Sequence, residues 1–315
     1  MGDGTVLQSR ARAALFVVGS VGLASMQDAI MKGVSGSLPA YEAVIFRTIS
    51  SLPLLFTWLL ITSSPANLFP PRLLPMLVLR SFILCTAYFG FVLSIATLPL
   101  ATSVSIYFTM PFFVAALAGW ALGERVPRYR WIAIIIGFGG VMLMVRPGSE
   151  AFQPAALYAL WSAVGYAIGQ MIGRHLSLRV EPVVIANWQN LTYFSVALLI
   201  GLIGPHFASA SITDKSLLFL LRPWVWPDTH QLILLILMGM LSALASAGFI
   251  FAYRTAEANF VAPFEYTALL WAICNGIVFF GDFPDSSTWS GAVIVIGAGI
   301  WMLWKDRSNR PAGSI

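Results

Sequence analysis

The stretch LLPMLVLRSFILCTAYFGFVLSIAT, Leu73 to Thr97, decides the fold. It carries a single charge, Arg80, and is too long and too evenly apolar for a tilted barrel strand of about 10 residues. A helix crossing a hydrocarbon core of roughly 30 Å needs about 20 such residues. Comparable runs lie near 13–34, 41–62, 100–122, 129–146, 154–174, 183–204, 231–253, 258–281 and 287–304, so an all-α integral membrane protein with ten transmembrane helices is expected. The first run follows Arg10 and Arg12 as in a signal peptide, but a matching run returns at 155, where no signal stands.

Composition agrees. Charged residues make up 10% of the 315 and hydrophobic ones 58%, against roughly 25% charge in a soluble domain, which excludes a water-soluble fold. The net charge of +5 sits between apolar runs rather than on one face, so no nucleic-acid partner is expected. Its distribution gives orientation. Arg10, Arg12, Arg72, Arg125, Arg128, Arg130, Arg174, Arg179, Arg254, Lys305, Arg307 and Arg310 share the side of the termini, against Lys32, Arg146, Lys215 and Arg222 opposite, while Arg47 and Arg80 fall within helices. This twelve-to-four bias places both termini in the cytoplasm. The loop 205–230 then lies outside, with Pro223-Trp224-Val225-Trp226-Pro227 suited to the interface and Asp214 and Asp228 in a plain solvated loop. Cys85 and Cys274 each sit in an apolar run, so neither a disulfide framework nor a metal site is expected.

The chain repeats. Shifted by 142, Ser20 falls on Ser162, Asp28 on Gln170, Lys32 on Arg174 and Arg47 on Gln189; shifted by 158, Gly90-Phe91 falls on Gly248-Phe249, Gly123-Glu124 on Gly281-Asp282 and Trp131 on Trp289. Five helices per copy is an odd number, so the second copy enters the membrane inverted. Residues 1–150 form the first repeat, 151–305 the second, and 306–315 a cytoplasmic tail. Inverted repeats are a secondary-transporter architecture with the substrate near the midplane.

PFFVAALAGWALGERVPRYRWIAIIIGFGGVMLMVRP, Pro111 to Pro147, resembles the end of an EamA domain of the drug/metabolite transporter superfamily: a helical proline, Gly-Glu at the helix exit, a Trp opening the next helix and a glycine-rich fifth helix. The second copy keeps Gly281, Asp282, Trp289 and Gly297 but has Leu269 where the proline should stand, with Pro263 one to two turns earlier. The resemblance implies a ten-helix carrier of small organic metabolites in a bacterial inner membrane, similar to YddG-type exporters of amino acids, aromatic ones included. It implies no cofactor, and it leaves organic-cation efflux and, third, a nucleotide-sugar carrier as alternatives.

Helical spacing nominates the substrate face. Tyr158, Ser162, Tyr166 and Gln170 form one stripe, and Trp161, Gly165, Gly169 and Gly173 its neighbour. Gln27 and Asp28, Tyr88, Tyr107, Ser242 and Ser246, and Trp271 join them from other helices. Together they suggest a wet cavity lined by rings, in which the glycines let helices approach. Ionisable residues within a span are costly and therefore informative. Depth along the helices matches Asp28 with Arg47 and Arg80 with Glu265, which permits two salt bridges. Open readings are pairs that merely neutralise each other, pairs that open and close with the cavity, or, for Asp28 and Glu265, attractors of a substrate ammonium, while Arg80 or Arg47 alone could snorkel. Glu124 and Asp282 read as helix-end anchors. An intramembrane enzyme is the competing class: Gly33-Val34-Ser35-Gly36 spells a rhomboid-protease tetrad, but Ser35 falls in a turn and His175, His206 and His230 at helix ends or in loops.

Overall fold

The computed structural model describes residues 2–63, 68–121, 127–146, 153–177, 179–207, 214–255, 261 and 264–308. Arg125, Glu124, Pro263 and Arg310 lie outside these residues, as do the side chains of Arg10, Arg174, Arg254 and Arg307. Among the described residues every regular element is a helix: α1 (Gly2–Val34), α2 (Ala40–Thr62), α3 (Leu74–Ile95), α4 (Leu100–Tyr107), α5 (Met110–Ala121), α6 (Arg128–Val145), α7 (Ala155–Ser177), α8 (Pro182–Phe207), α9 (Lys215–Leu221), α10 (Thr229–Thr255), α11 (Thr267–Phe280) and α12 (Ser286–Ser308). Seven are long and apolar enough to cross a bilayer by length and composition, and Leu100–Val114, Thr267–Phe280 and Ser286–Met302 are shorter apolar helices.

Prolines punctuate the starts. Pro39, Pro99 and Pro127 precede α2, α4 and α6, and Pro182 opens α8. A residue without an N–H suits the first turn, whose N–H groups have no intrahelical acceptor. Gly281 ends α11 with φ +67, a left-handed conformation that glycine adopts without strain.

The run 100–122 is not one helix. It breaks after Tyr107, through Phe108 and Thr109. Pro111 has no N–H to give the Tyr107 carbonyl, and the Thr109 hydroxyl donates to the Ile106 carbonyl at 2.7 Å. The second half breaks as well, at Tyr266, 158 residues after Phe108, although Leu269 replaces the proline. The rings of Phe108 and Tyr266 stack on each other, centroids 4.9 Å apart.

Nor is 205–230 a plain loop. Asp214 accepts from the Leu217 N–H and caps α9, whose Phe219 is buried and whose Ser216 hydroxyl donates to the Leu93 carbonyl. Asp228 and Gln231 form a reciprocal box at the start of α10, the Gln231 N–H donating to the Asp228 carboxylate and the Asp228 N–H to the Gln231 side chain. Trp226 is 79% exposed.

Packing runs across the chain. α1 packs on α10 and α11, α3 on α7 and α8, α2 on α8 and α10, and α6 on α12. Small residues permit these contacts, since lipid supplies no hydrophobic drive between helices. Gly165, Gly169 and Gly173 of α7 lie on Ala87, Leu84 and Arg80 of α3. Large apolar side chains such as Leu15, Ile61, Ile135, Leu202 and Val278 cover the outside, while Tyr41, Phe112 and Tyr193 fill the core.

Candidate functional site

The centre is built around Arg47 of α2. Its Nε donates to Gln27 Oε1 of α1 at 3.2 Å and its Nη2 to Ser242 Oγ of α10 at 2.8 Å. The guanidinium carbon lies 4.6 Å from the Tyr88 ring and 5.8 Å from that of Tyr193, close enough for cation–π attraction. Nη1 is buried and has no hydrogen-bond partner. Tyr88 and Tyr193 stack at 5.2 Å. Tyr193 in turn donates to the Leu84 carbonyl and accepts from Gln189, while the Tyr88 hydroxyl is buried without a partner.

Asp28 and Arg47 do not form the ion pair that matching depth permits. Gln27 stands between them, accepting from Arg47 and donating to Asp28 Oδ1 at 3.5 Å. Equal depth does not fix azimuth: Gln27, one residue and about 100° around the helix from Asp28, points at the guanidinium instead. Arg80 likewise does not close on Glu265. It donates to Gln189 Oε1 at 3.2 Å, lies against Gly173, and has the phenols of Tyr166 and Tyr193 as its electrostatic neighbours. Glu265 lies within electrostatic reach of Tyr107.

Tyr166 joins the two parts of the chamber. Its ring meets Tyr107 edge-on at 5.1 Å, and it lies within electrostatic reach of Arg47, Asp28 and Arg80. Phe91 packs edge-on against Tyr107 from α3. A cavity of about 70 Å³ opens beside Arg47, lined also by Gln189, Asn190, Tyr193, Ser242 and Ser246. Ligand pockets run from roughly 300 Å³ upward, so this opening is smaller than a small-molecule site needs.

Of the expected site residues, Gln27, Asp28, Tyr88, Tyr107, Tyr166 and Ser246 gather here. Ser162 is buried between α7 and α3 with its hydroxyl unpartnered, and Tyr158 turns its carbonyl to Gly90. Trp161 does not gather: it is 55% exposed, next to exposed Leu157 on the same face of α7. Gln170 is exposed, and Trp271 lies over Gly22, partly exposed. Tyr193 belongs to the site but was not anticipated. Its signal was available in Gln189, Asn190 and Tyr193, polar residues at helical spacing inside an apolar run.

Charged contacts also tie helix ends together. Lys32 Nζ donates to Asp282 Oδ2 at 2.7 Å and to the Leu98 carbonyl at 2.9 Å, and lies 5.0 Å from the Phe280 ring. Arg146 pairs with Asp285. The Thr288 hydroxyl and N–H, and then Arg146, hold the Asp285 carboxyl below its usual range. Arg222 donates to the Gly36 carbonyl, and the Val225 N–H to Glu42.

Among the described residues, helices long and apolar enough to cross a membrane surround a polar, ring-lined centre. Residues 11–146 match the EamA-like transporter family. The chain is 24% identical, over 90% of its length and 90% of the relative's, to an S-adenosylmethionine uptake transporter of Rickettsia prowazekii. It is 29% identical to a riboflavin transporter of Rhizobium johnstonii, over 71% of this chain and 68% of that one. To the pseudopaline exporter CntI of Pseudomonas aeruginosa it is 28% identical, over 87% and 89%. A solved crystal structure of a protein superposes with a TM-score of 0.64 over 95% of this chain and 99% of that one, at 16% identity, a likeness of fold alone. Residues 11–146 thus carry the likeness to the EamA-like transporter family, and the relatives that the chain resembles over most of its length are transporters.

Proposed function

We propose that this transporter moves small amphipathic metabolites, ring-bearing amino acids among them, outward across a bacterial inner membrane by alternating access. The observation that carries this reading is the chamber itself. Arg47 and Asp28 offer opposite charges, held apart by Gln27, beside the rings of Tyr88, Tyr193, Tyr166 and Tyr107. Such a lining suits a zwitterion with a flat side group. S-adenosylmethionine, the solute named for four of the relatives, combines an amino-acid end with a flat base.

The inverted ten-helix arrangement, residues 1–150 against 151–305 with both termini in the cytoplasm, is part of the proposal. Three observations support it. α1 packs on α10 as α7 packs on α3. Both halves break at Phe108 and its counterpart Tyr266, which stack on each other as residues at a two-fold axis would. Lys32, Arg146 and Arg222 all make their contacts on the face assigned to the outside. Asp28 and Glu265 remain candidates for the ammonium, with Asp28 the better placed.

The test is flux in liposomes. Purified protein is reconstituted and challenged with amino acids, S-adenosylmethionine, riboflavin and organic cations, in both directions and with and without a pH gradient. Saturable movement of ring-bearing amino acids, faster in the outward direction, is expected. Movement of organic cations alone would overturn the amino-acid reading, and faster inward movement would overturn export.

A further inference from the structure

We propose that the buried Nη1 edge of Arg47 is the anchor for a substrate carboxylate, which makes the protein selective for carboxylate-bearing solutes over cations of the same shape. This rests on the transport reading above and deepens it.

A guanidinium has five N–H donors in a fixed fork. At Arg47 the Nε edge is used by Gln27 and one Nη2 donor by Ser242, while the ring of Tyr88 covers a face. These contacts fix the plane. Nη1 then has no acceptor among the described residues, although it is buried and its side chain lines the cavity beside Gln189 and Ser246. Buried donors on a cation are almost always satisfied, and planar two-pronged recognition of carboxylates is what arginine does better than lysine. The acid that could have filled the position, Asp28, is kept off by Gln27. Arg80 offers no equivalent site: its orphan nitrogen is Nε, which lies against the Gly173 backbone.

The decisive comparison varies the solute on the unaltered protein, so no variant needs to fold. Liposomes carrying the full chain are given phenylalanine, phenylalanine amide and phenethylamine, which share the ring and the amine and differ in the carboxylate. Phenylalanine is expected to move at least about tenfold faster than either of the others, the weight of a charged hydrogen bond. Arg47→Gln should lower phenylalanine flux by a similar factor and bring the three solutes together, with Arg47→Lys intermediate. Equal flux of all three through the unaltered protein leaves transport standing and overturns the anchor. Absence of saturable flux for all three, and for S-adenosylmethionine and riboflavin, overturns the transport reading and the anchor with it. An Arg47→Gln protein that keeps the full preference for phenylalanine also overturns the anchor.

Discussion

The backbone of Gly90 lies so close to the carbonyl of Tyr158 that a Cβ at Gly90 would sit 2.9 Å from that oxygen. The relation recurs: Gly248 lies against the carbonyl of Phe16 and the hydroxyl of Ser20. Gly248 is 158 residues after Gly90, and Tyr158 and Ser162 are 142 after Phe16 and Ser20, the two registers in which the sequence repeats.

The two contacts differ in what would have to yield. At Gly90 the obstacle is a backbone oxygen and the Trp161 ring; at Gly248 the nearest atom is the end of the Ser20 side chain. Gly90→Ala is expected to cost about 1–3 kcal/mol, seen as a lower midpoint of thermal unfolding in detergent. Gly248→Ala should cost less and be relieved by Ser20→Ala. Equal losses in the two single variants would contradict this geometry.

The ring contacts of Tyr166 and the exposure of Trp161 separate two neighbours on α7. Tyr166→Ala should slow ring-bearing solutes more than aliphatic ones by about two- to tenfold, since an aromatic contact is worth roughly 0.5–1.5 kcal/mol. Trp161→Ala should leave the ratio unchanged, because that ring faces outward from α7. Solute competition in liposomes reads the ratio directly.

Lys32 and Asp282 tie α1 to the end of α11 on the face assigned to the outside. In a protein lacking Cys85 and Cys274, with a cysteine at Ser246, Asp282→Asn is expected to raise labelling by an impermeant thiol reagent about three- to tenfold, the weight of a pair worth roughly 1 kcal/mol. Exchanging the two residues should restore the slow rate. If labelling is unchanged by either variant, the pair does not hold that face shut.

Acid acts on the second pair. The Asp285 carboxyl titrates below its ordinary 3.8 in the folded protein, so its stabilising contribution is complete above that value and is lost as pH falls through the lower folded one. Asp285→Asn should therefore lower the unfolding midpoint at pH 7, and the difference from the unaltered protein should shrink to nothing in strong acid. A difference that persists there would assign the effect to packing.

Topology is tested with cysteines at Trp226 and Ser308. An impermeant reagent added to intact cells should label the first and not the second. Labelling of both would remove the cytoplasmic placement of the C-terminus.

Much of the fold was legible because a bilayer forces each span to be long and apolar, and α2, α3, α6 and α7 follow their runs closely. What escaped was set by local chemistry or by neighbours. Pro111 announced a bend but not that the helix would stop at Tyr107, and nothing at Leu269 announced the matching break at Tyr266. Asp214 and the Asp228–Gln231 box were readable as caps once a short helix was suspected, yet a helix of seven residues falls below any spanning criterion. At the site, depth identified the ionisable residues but not their partners, since rotation about the helix axis decides whether Gln27 or Asp28 reaches Arg47. Tyr193 went unnoticed because one tyrosine in an apolar run reads as packing until Arg47 and Tyr88 are found beside it.

The glycine contacts carry a mechanical consequence. Gly90 seats α3 on the backbone of α7 and Gly248 seats α10 on the Ser20 side chain of α1, and each couple takes one helix from either half of the sequence. Bodies joined that tightly turn together more easily than they slide. Under the proposed alternating access the levers are therefore hybrids, each taking one helix from before residue 150 and one from after it.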